Sequence, residues 1–133
     1  MRIIGLDPGL QHTGWGIIDQ SGSRLSFVAA GRISSRASEP LAERLAAIHA
    51  GLNGVIDDHQ PDAAAVEETF VNKNPASTLK LGLARGVALL TPALHKLPGF
   101  EYPANLIKKS VVGAGHAGKE QVQVMVRVLR PAS

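Results

Sequence analysis

The sequence contains no cysteine. This absence excludes a disulfide framework, a thiolate nucleophile and a thiolate zinc site. The chain also lacks any run of the roughly 20 apolar residues that a membrane helix needs. Its N-terminus, from Met1 to Gly9, places Gly, Asp and Pro where a signal peptide would need an apolar segment. We therefore expect a cytoplasmic protein with no membrane segment.

The chain is also too short for two ordinary domains. Its 133 residues, of which 44% are hydrophobic, are enough for one compact core. No internal repeat, low-complexity tract or linker divides it. We expect residues 1–133 to form a single domain.

The net charge of +3 is unevenly distributed along the chain. Up to Phe70, five basic and nine acidic residues give a charge of −4, whereas the remainder has nine basic and two acidic residues and a charge of +7. This asymmetry indicates a surface for a polyanion, supplied by the second half. An ordinary solvated surface is the alternative interpretation.

Short apolar runs and helical periodicity predict an α/β fold. Three strands joined by short turns predict an antiparallel meander, and the later strands alternate with helices, which favours parallel pairing. The result is a mixed sheet flanked by helices, which matches the ribonuclease H arrangement. The predicted strands cover residues 2–7, 13–18, 25–33, 63–67 and 100–102.

Four helices are predicted between and after these strands. The first has Ser38 as a possible N-cap and ends near Pro61. The second runs from about Ala76 to Leu94, with Pro92 expected to kink or end it. Its apolar face is predicted to contain Leu79, Leu83, Val87 and Leu90, and two short helices are predicted over residues 104–112 and 119–130.

Two carboxylates stand at the ends of predicted strands. Asp7 ends the first strand before Pro8, and Glu67 ends the fourth. If these strands are neighbours, both side chains emerge at the same end of the sheet and can share a hard cation such as Mg²⁺ or Mn²⁺. A pair of such ions about 3.5 to 4 Å apart is the usual device for phosphodiester cleavage. Asp7 could instead be a turn residue, and spacing alone does not choose between Glu67 and Glu68, whose side chains point to opposite faces.

Short motifs follow one another in order from residue 3 to about residue 129. Each is weak alone, and their combination is specific. The motifs are Gly5-Leu6-Asp7-Pro8-Gly9, Thr13-Gly14-Trp15-Gly16, Ala65-Val66-Glu67 with Phe70, Lys73-Asn74, Leu79-Lys80-Leu81-Gly82, Ala84-Arg85-Gly86, Lys108 with Val111-Val112-Gly113, and Lys119 with Gln121-Val122-Gln123 and Met125-Val126-Arg127.

With these motifs the chain resembles the RuvC family of Holliday-junction resolvases. The resemblance implies a Mg²⁺-dependent endonuclease with two ions per complete site. It also implies a homodimer that nicks four-way junction DNA in recombination and repair, together with a branch-migration complex of the RuvA and RuvB type. By position, Asp7 and Glu67 match the first two metal ligands of the family.

Four residues are candidates for DNA binding. Phe70 could stack on an unpaired base or belong to the core, and the resemblance favours DNA. Lys73, Lys108 and Lys119 can neutralise phosphates. Lys119 follows a glycine-rich link that matches nucleotide-binding patterns, but the surrounding sequence does not fit a nucleotide site. The link could hold a DNA phosphate or be a plain turn.

The resemblance also defines the alternatives. The family pattern continues into a helix with a further acidic pair, which the printed sequence, ending at Ser133, does not contain. We therefore expect either a C-terminally short form of an active enzyme or a non-catalytic junction-binding module. An actin-like phosphotransferase, which also uses an early Asp and Gly, needs a longer chain.

Overall fold

The computed structural model describes residues 1–68 and 74–102. The elements within these ranges are β1 (Arg2–Asp7), β2 (His12–Ser21), β3 (Arg24–Ser34), α1 (Leu41–His59), β4 (Ala63–Glu67), α2 (Pro75–Leu94) and β5 (Gly99–Tyr102). The helices predicted over residues 104–112 and 119–130 lie outside the described residues.

The five strands form one sheet in the order β3-β2-β1-β4-β5. Antiparallel pairing joins β1 to β2 and β2 to β3, and parallel pairing joins β1 to β4 and β4 to β5. The predicted antiparallel meander followed by parallel strands is therefore confirmed, as is the α/β class.

One face of the sheet carries a core shared with both helices. Alternate residues of β1 and β4 point to this face, because successive side chains of a strand point to opposite sides. Ile4 and Leu6 on β1 lie beside Ala64 and Val66 on β4. These side chains form one buried cluster with Ile48, Leu52 and Ile56 of α1 and with Ala84 and Ala88 of α2.

The start of α1 differs from the expected position. The N-cap is Pro40, not Ser38, and no side chain caps the helix. Pro40 has the extended backbone of a cap residue, with φ −57° and ψ 144°, so the first helical residue is Leu41. Proline fixes φ and does not prevent the next residue from starting a helix, which places the boundary two residues after the serine.

The start of α2 follows the expected capping chemistry. Asn74 Oδ1 accepts hydrogen bonds from the backbone N–H groups of Ala76 and Ser77, at 3.0 and 3.3 Å. Pro92 lies inside the last turn and does not end the helix, which continues to Leu94.

Only part of the α2 face that periodicity suggested is buried, since Val87 packs against the core but two of its leucines do not. Ala84, Ala88 and Thr91 face the interior, whereas Leu79 and Leu90 are 67% and 53% exposed. The small alanines let α2 approach α1 and the sheet closely, which is why they occupy the core side. The leucines are left on the outer surface of the helix.

Within residues 1–68 and 74–102, neither helix has the length and hydrophobicity needed to cross a bilayer.

Candidate active site

Asp7 and Glu67 meet at one edge of the sheet. The parallel register pairs Ile3 with Ala63 and continues to Leu6 with Val66. Asp7 and Glu67 are the next residues along β1 and β4, and each is the last residue of its strand. Neighbouring strands are about 4.8 Å apart, so two carboxylates at this register can approach a common cation.

The same register separates Glu67 from Glu68. Residues at matching positions of paired strands point to the same side of the sheet, and the next residue points to the other side. Asp7 and Glu67 therefore share the face opposite to the one that α1 and α2 cover. Glu68 lies after the end of β4, outside the paired strand.

A row of paired residues crosses the sheet at this level. Asp7 pairs with Gly14 of β2, and Gly14 pairs with Arg32 of β3. On the other side, Glu67 pairs through its backbone with Tyr102 of β5. Gly14 has no side chain, so the surface between Asp7 and the exposed Arg32 is open. Along this row, Arg32 therefore lies two strands, or about 10 Å, from Asp7.

The loop of residues 8–11, which follows Asp7, is held by Thr13. The buried Thr13 hydroxyl donates to the carbonyl oxygen of Gly9 at 2.7 Å, and the Gly9 N–H donates to the same hydroxyl at 3.3 Å. A Cβ at Gly9 would lie 2.3 Å from the His12 carbonyl oxygen. Glycine is needed here because the chain folds back on itself, which explains the Asp-Pro-Gly motif physically.

His12 lies at the start of β2, on the Asp7 face. Its Nδ1 is 2.7 Å from Ser34 Oγ, an exposed contact. This contact joins β2 to β3 beside the row described above, so it gives His12 a structural function.

Charged groups elsewhere in the sheet form ion pairs. Arg85, on α2, forms an ion pair with Glu101 of β5. At the other end of β1, Arg2 donates to both carboxylate oxygens of Asp19, at 2.8 and 2.9 Å. That hydrogen bonding lowers the pKa of Asp19 below its ordinary value and raises the pKa of Arg2.

The other predicted site residues lie outside the part of the chain that the structure describes. Phe70, Lys73, Lys108 and Lys119 all lie in the ranges 69–73 and 103–133, which are not described. In the part of the chain that is described, no group of three or more His, Asp or Glu side chains forms a ready-made metal site. Asp7 and Glu67 carry oxygen donors of the kind that a hard cation prefers, and a cation held by these two carboxylates would need further oxygen ligands.

Sequence reasoning did not identify two buried residues near the loop. Ser35, just after β3, and Arg44, in the first turns of α1, are 8% and 9% exposed. Ser35 contacts the 8–11 loop directly, and Arg44 contacts Ser35. A basic residue in the first turns of a helix, where it opposes the helix dipole, was the signal available in the sequence.

Curated proteins that are similar to this chain share one description. The chain is 60% identical over 131 residues to the crossover junction endodeoxyribonuclease RuvC of Afipia carboxidovorans, an alignment that covers 98% of this chain and 77% of that protein. It is 63% identical over 133 residues to the RuvC of Methylocella silvestris, covering 100% of this chain and 76% of that protein.

Solved structures and a family model agree with these relatives. Thermus thermophilus RuvC in complex with a Holliday junction substrate matches with a TM-score of 0.76 and 31% identity, over 99% of this chain and 85% of that chain. The family model described as crossover junction endodeoxyribonuclease RuvC matches residues 3–131. The chain therefore belongs to the RuvC family of crossover junction endodeoxyribonucleases.

Proposed function

We propose that this protein resolves Holliday junctions by nicking DNA with two Mg²⁺ ions, held in part by Asp7 and Glu67. The observation that carries the proposal is the parallel register of β1 and β4, which sets these two carboxylates side by side on one face. The chain belongs to a family of divalent-metal-dependent nucleases. Mn²⁺ is a plausible substitute, because it also prefers oxygen ligands.

The residues present fit such a cation by their chemistry. Carboxylate oxygens at the ends of two rigid strands form an anionic site that is held in place before the metal binds, and strands position ligands more firmly than loops do. When bound, a pair of divalent ions lowers the pKa of a water and stabilises the oxygen that leaves phosphorus. Asp7 and Glu67 anchor the ions, and the 8–11 loop fixes the backbone next to Asp7.

The substrate in this proposal is a four-way DNA junction. Support comes from the Thermus thermophilus RuvC complex, whose DNA is a Holliday junction, and from the basic second half of the chain. Phe70 stacks on a base, and Lys73, Lys108 and Lys119 contact phosphates. Arg32, which lies on the same row of the sheet as Asp7, is a further candidate for a phosphate contact.

The proposal includes a homodimer and a single domain over residues 1–133. A stripe of exposed residues on α2 supports the dimer: Leu79, Leu90 and Leu94 are 67%, 53% and 61% exposed. Between them, a Cβ at Gly82 or Gly86 would meet nothing within 4 Å, so a second helix can approach closely. The further proposed partner is a branch-migration complex of the RuvA and RuvB type, acting with the enzyme in the cytoplasm.

The decisive experiment compares two neighbouring glutamates on a synthetic four-way junction. Wild-type protein nicks the junction with Mg²⁺, and Glu67→Gln binds the junction without nicking it. Glu68→Gln, the matched control, nicks like wild type, because Glu68 lies beyond the end of β4. Cleavage by Glu67→Gln together with loss in Glu68→Gln would overturn the assignment.

A second outcome distinguishes the enzyme from the alternative function. If the wild-type chain binds the junction specifically and never nicks it at any Mg²⁺ or Mn²⁺ concentration, a junction-binding module is the correct interpretation. A linear duplex of the same sequence serves as the control for structure-specific binding.

A further inference from the structure

A buried hydrogen-bonded chain supports the loop that follows Asp7. The Ser35 hydroxyl donates to the carbonyl oxygen of Leu10 at 2.5 Å, and the Ser35 N–H donates to the carbonyl oxygen of Gln11 at 3.0 Å. Arg44 Nε in turn donates to Ser35 Oγ at 2.9 Å. Arg44 therefore reaches the loop through one hydroxyl group, and Ser35 holds two successive loop carbonyls.

This chain complements the contacts of Thr13. Thr13 fixes Gly9 from β2, and Ser35 fixes Leu10 and Gln11 from the end of β3. The loop is thus held at three consecutive residues. Since β1 ends at Asp7, only Pro8 separates these fixed residues from the carboxylate.

Burial of the Arg44 charge has an energetic cost. Arginine is always charged, and its side chain is 9% exposed. Within the described ranges, Ser35 is the one side-chain hydrogen-bond partner of Arg44. The residue also lies near the N-terminus of α1, where a positive charge opposes the helix dipole. Burial of a charge with so little compensation costs desolvation energy, and even buried ion pairs can often be replaced by well-packed apolar residues without a loss of stability.

The presence of a buried arginine at position 44 is explained by its effect on the orientation of Ser35 and not by a contribution to stability. A hydrogen bond from a cation is shorter and stronger than one from a neutral donor. Arg44 therefore orients the Ser35 hydroxyl and polarises its O–H bond toward the Leu10 carbonyl oxygen, because hydrogen bonds in a chain strengthen one another. The loop gains a single conformation as a result.

We propose that Arg44 and Ser35 are positioning residues for the metal site, holding the 8–11 loop so that Asp7 presents its carboxylate in one geometry. This inference rests on the proposed assignment of Asp7 as a cation ligand. Neither residue touches the cation. Outer residues that orient ligands typically change metal affinity by about 10- to 100-fold when they are mutated.

The test measures binding of Mn²⁺ alone, by electron paramagnetic resonance of the free ion, and needs no cleavage. Arg44→Met removes the charge and keeps much of the side-chain volume. We expect Mn²⁺ binding to weaken by about tenfold, without a loss of unfolding free energy in urea. Ser35→Ala has the same effect on Mn²⁺, and Ser35→Thr, which retains the hydroxyl, restores near wild-type binding.

Thr91→Val is the matched control for loss of a buried hydroxyl. Thr91 is fully buried and donates to the Val87 carbonyl oxygen at 2.9 Å, near the far end of α2. At 1.5 Å per residue, it lies about 24 Å along the helix from Pro75. Hydrogen exchange of the Gly9 amide, which donates to Thr13 Oγ1, gives a second measurement. Its rate increases in Ser35→Ala and stays at the wild-type value in Thr91→Val.

Two results would overturn the positioning function. The first is unchanged Mn²⁺ affinity in both Arg44→Met and Ser35→Ala. The second is an equal loss of affinity in Thr91→Val, which would reveal general destabilisation. Failure of the underlying assignment has a different signature, since wild type and Asp7→Asn would then bind Mn²⁺ equally well.

Discussion

Gly9 is the residue at which the Asp-Pro-Gly motif makes its sharpest structural demand. An alanine Cβ there would lie 2.3 Å from the His12 carbonyl oxygen. Real Cβ atoms essentially never come within 3.0 Å of such an atom, so Gly9→Ala forces a displacement of at least 0.7 Å. Among the described residues, Gly22 is the one glycine with a φ in the left-handed region. Gly9 is therefore required because a Cβ has no space there, and not because of its backbone conformation.

The surroundings of Gly9 do not allow this displacement without cost. The obstructing atom belongs to the backbone of His12, which is paired with Ser34 in the sheet. Thr13 holds the N–H and the carbonyl oxygen of Gly9 at the same time. Overpacking at a site that cannot relax costs about 1 to 3 kcal/mol, so we expect Gly9→Ala to lower the unfolding free energy by about 2 kcal/mol.

The displacement also acts on catalysis. Misplacement of a reacting group by about 1 Å can reduce the rate by about 100-fold. We therefore expect cleavage by Gly9→Ala to fall by about 10- to 100-fold under single-turnover conditions with saturating junction. Junction binding in the absence of divalent ions should be close to that of wild type.

Gly54→Ala is the matched control for this substitution. Gly54 lies in α1, and a Cβ there would meet nothing within 4 Å. Alanine is favoured over glycine in a helix by about 1 kcal/mol, so this variant should be more stable than wild type with unchanged cleavage. Urea denaturation measures both variants, and wild-type stability and cleavage in Gly9→Ala would refute the close-approach argument.

Three further predictions concern the DNA surface, the acid dependence of stability and the dimer face. Arg32→Ala and Lys108→Ala should each reduce the slope of log K against log salt for junction binding by about one, as loss of one phosphate contact does; Arg24→Ala, at the opposite end of β3, should leave the slope unchanged, and an equal change in Arg24→Ala would remove Arg32 from the interface. The pKa of Asp19 is lower folded than unfolded, so its contribution to stability is present above the ordinary value of 3.8 and is lost as pH falls through the folded pKa. Asp19→Asn should therefore weaken the acid dependence of urea unfolding below about pH 4, and an unchanged acid dependence would contradict this. Leu90→Glu should convert a dimer to a monomer in sedimentation velocity, whereas Leu41→Glu, at another partly exposed leucine, should not; a dimer that persists in Leu90→Glu excludes this face of α2.

The contrast between α1 and α2 shows where periodicity was sufficient and where it was not. In α1, the apolar residues Leu41, Leu45, Ile48, Leu52 and Ile56 recur at helical spacing. The last three are buried, whereas Leu41, the first residue of the helix, is 43% exposed. In α2, alanines and leucines both recur at helical spacing, and the larger side chains were assigned to the core. The core instead contains Ala84 and Ala88, with Val87 packed against them, because small side chains let a helix pack closely on its neighbours.

The sequence by itself determined the strands, the α/β class and the family, because apolar runs, turn residues and ordered motifs are local features. It also placed Asp7 and Glu67 at the ends of strands. Alternation within one strand fixes which residues share a face, but not which residue of a neighbouring strand stands beside them. Only the tertiary structure supplied the β1–β4 register, which runs to Leu6 with Val66 and so brings together the strand ends at Asp7 and Glu67. It alone joined Arg44, Ser35 and Leu10, whose contacts connect residues distant in the chain and leave no periodic signal in the sequence.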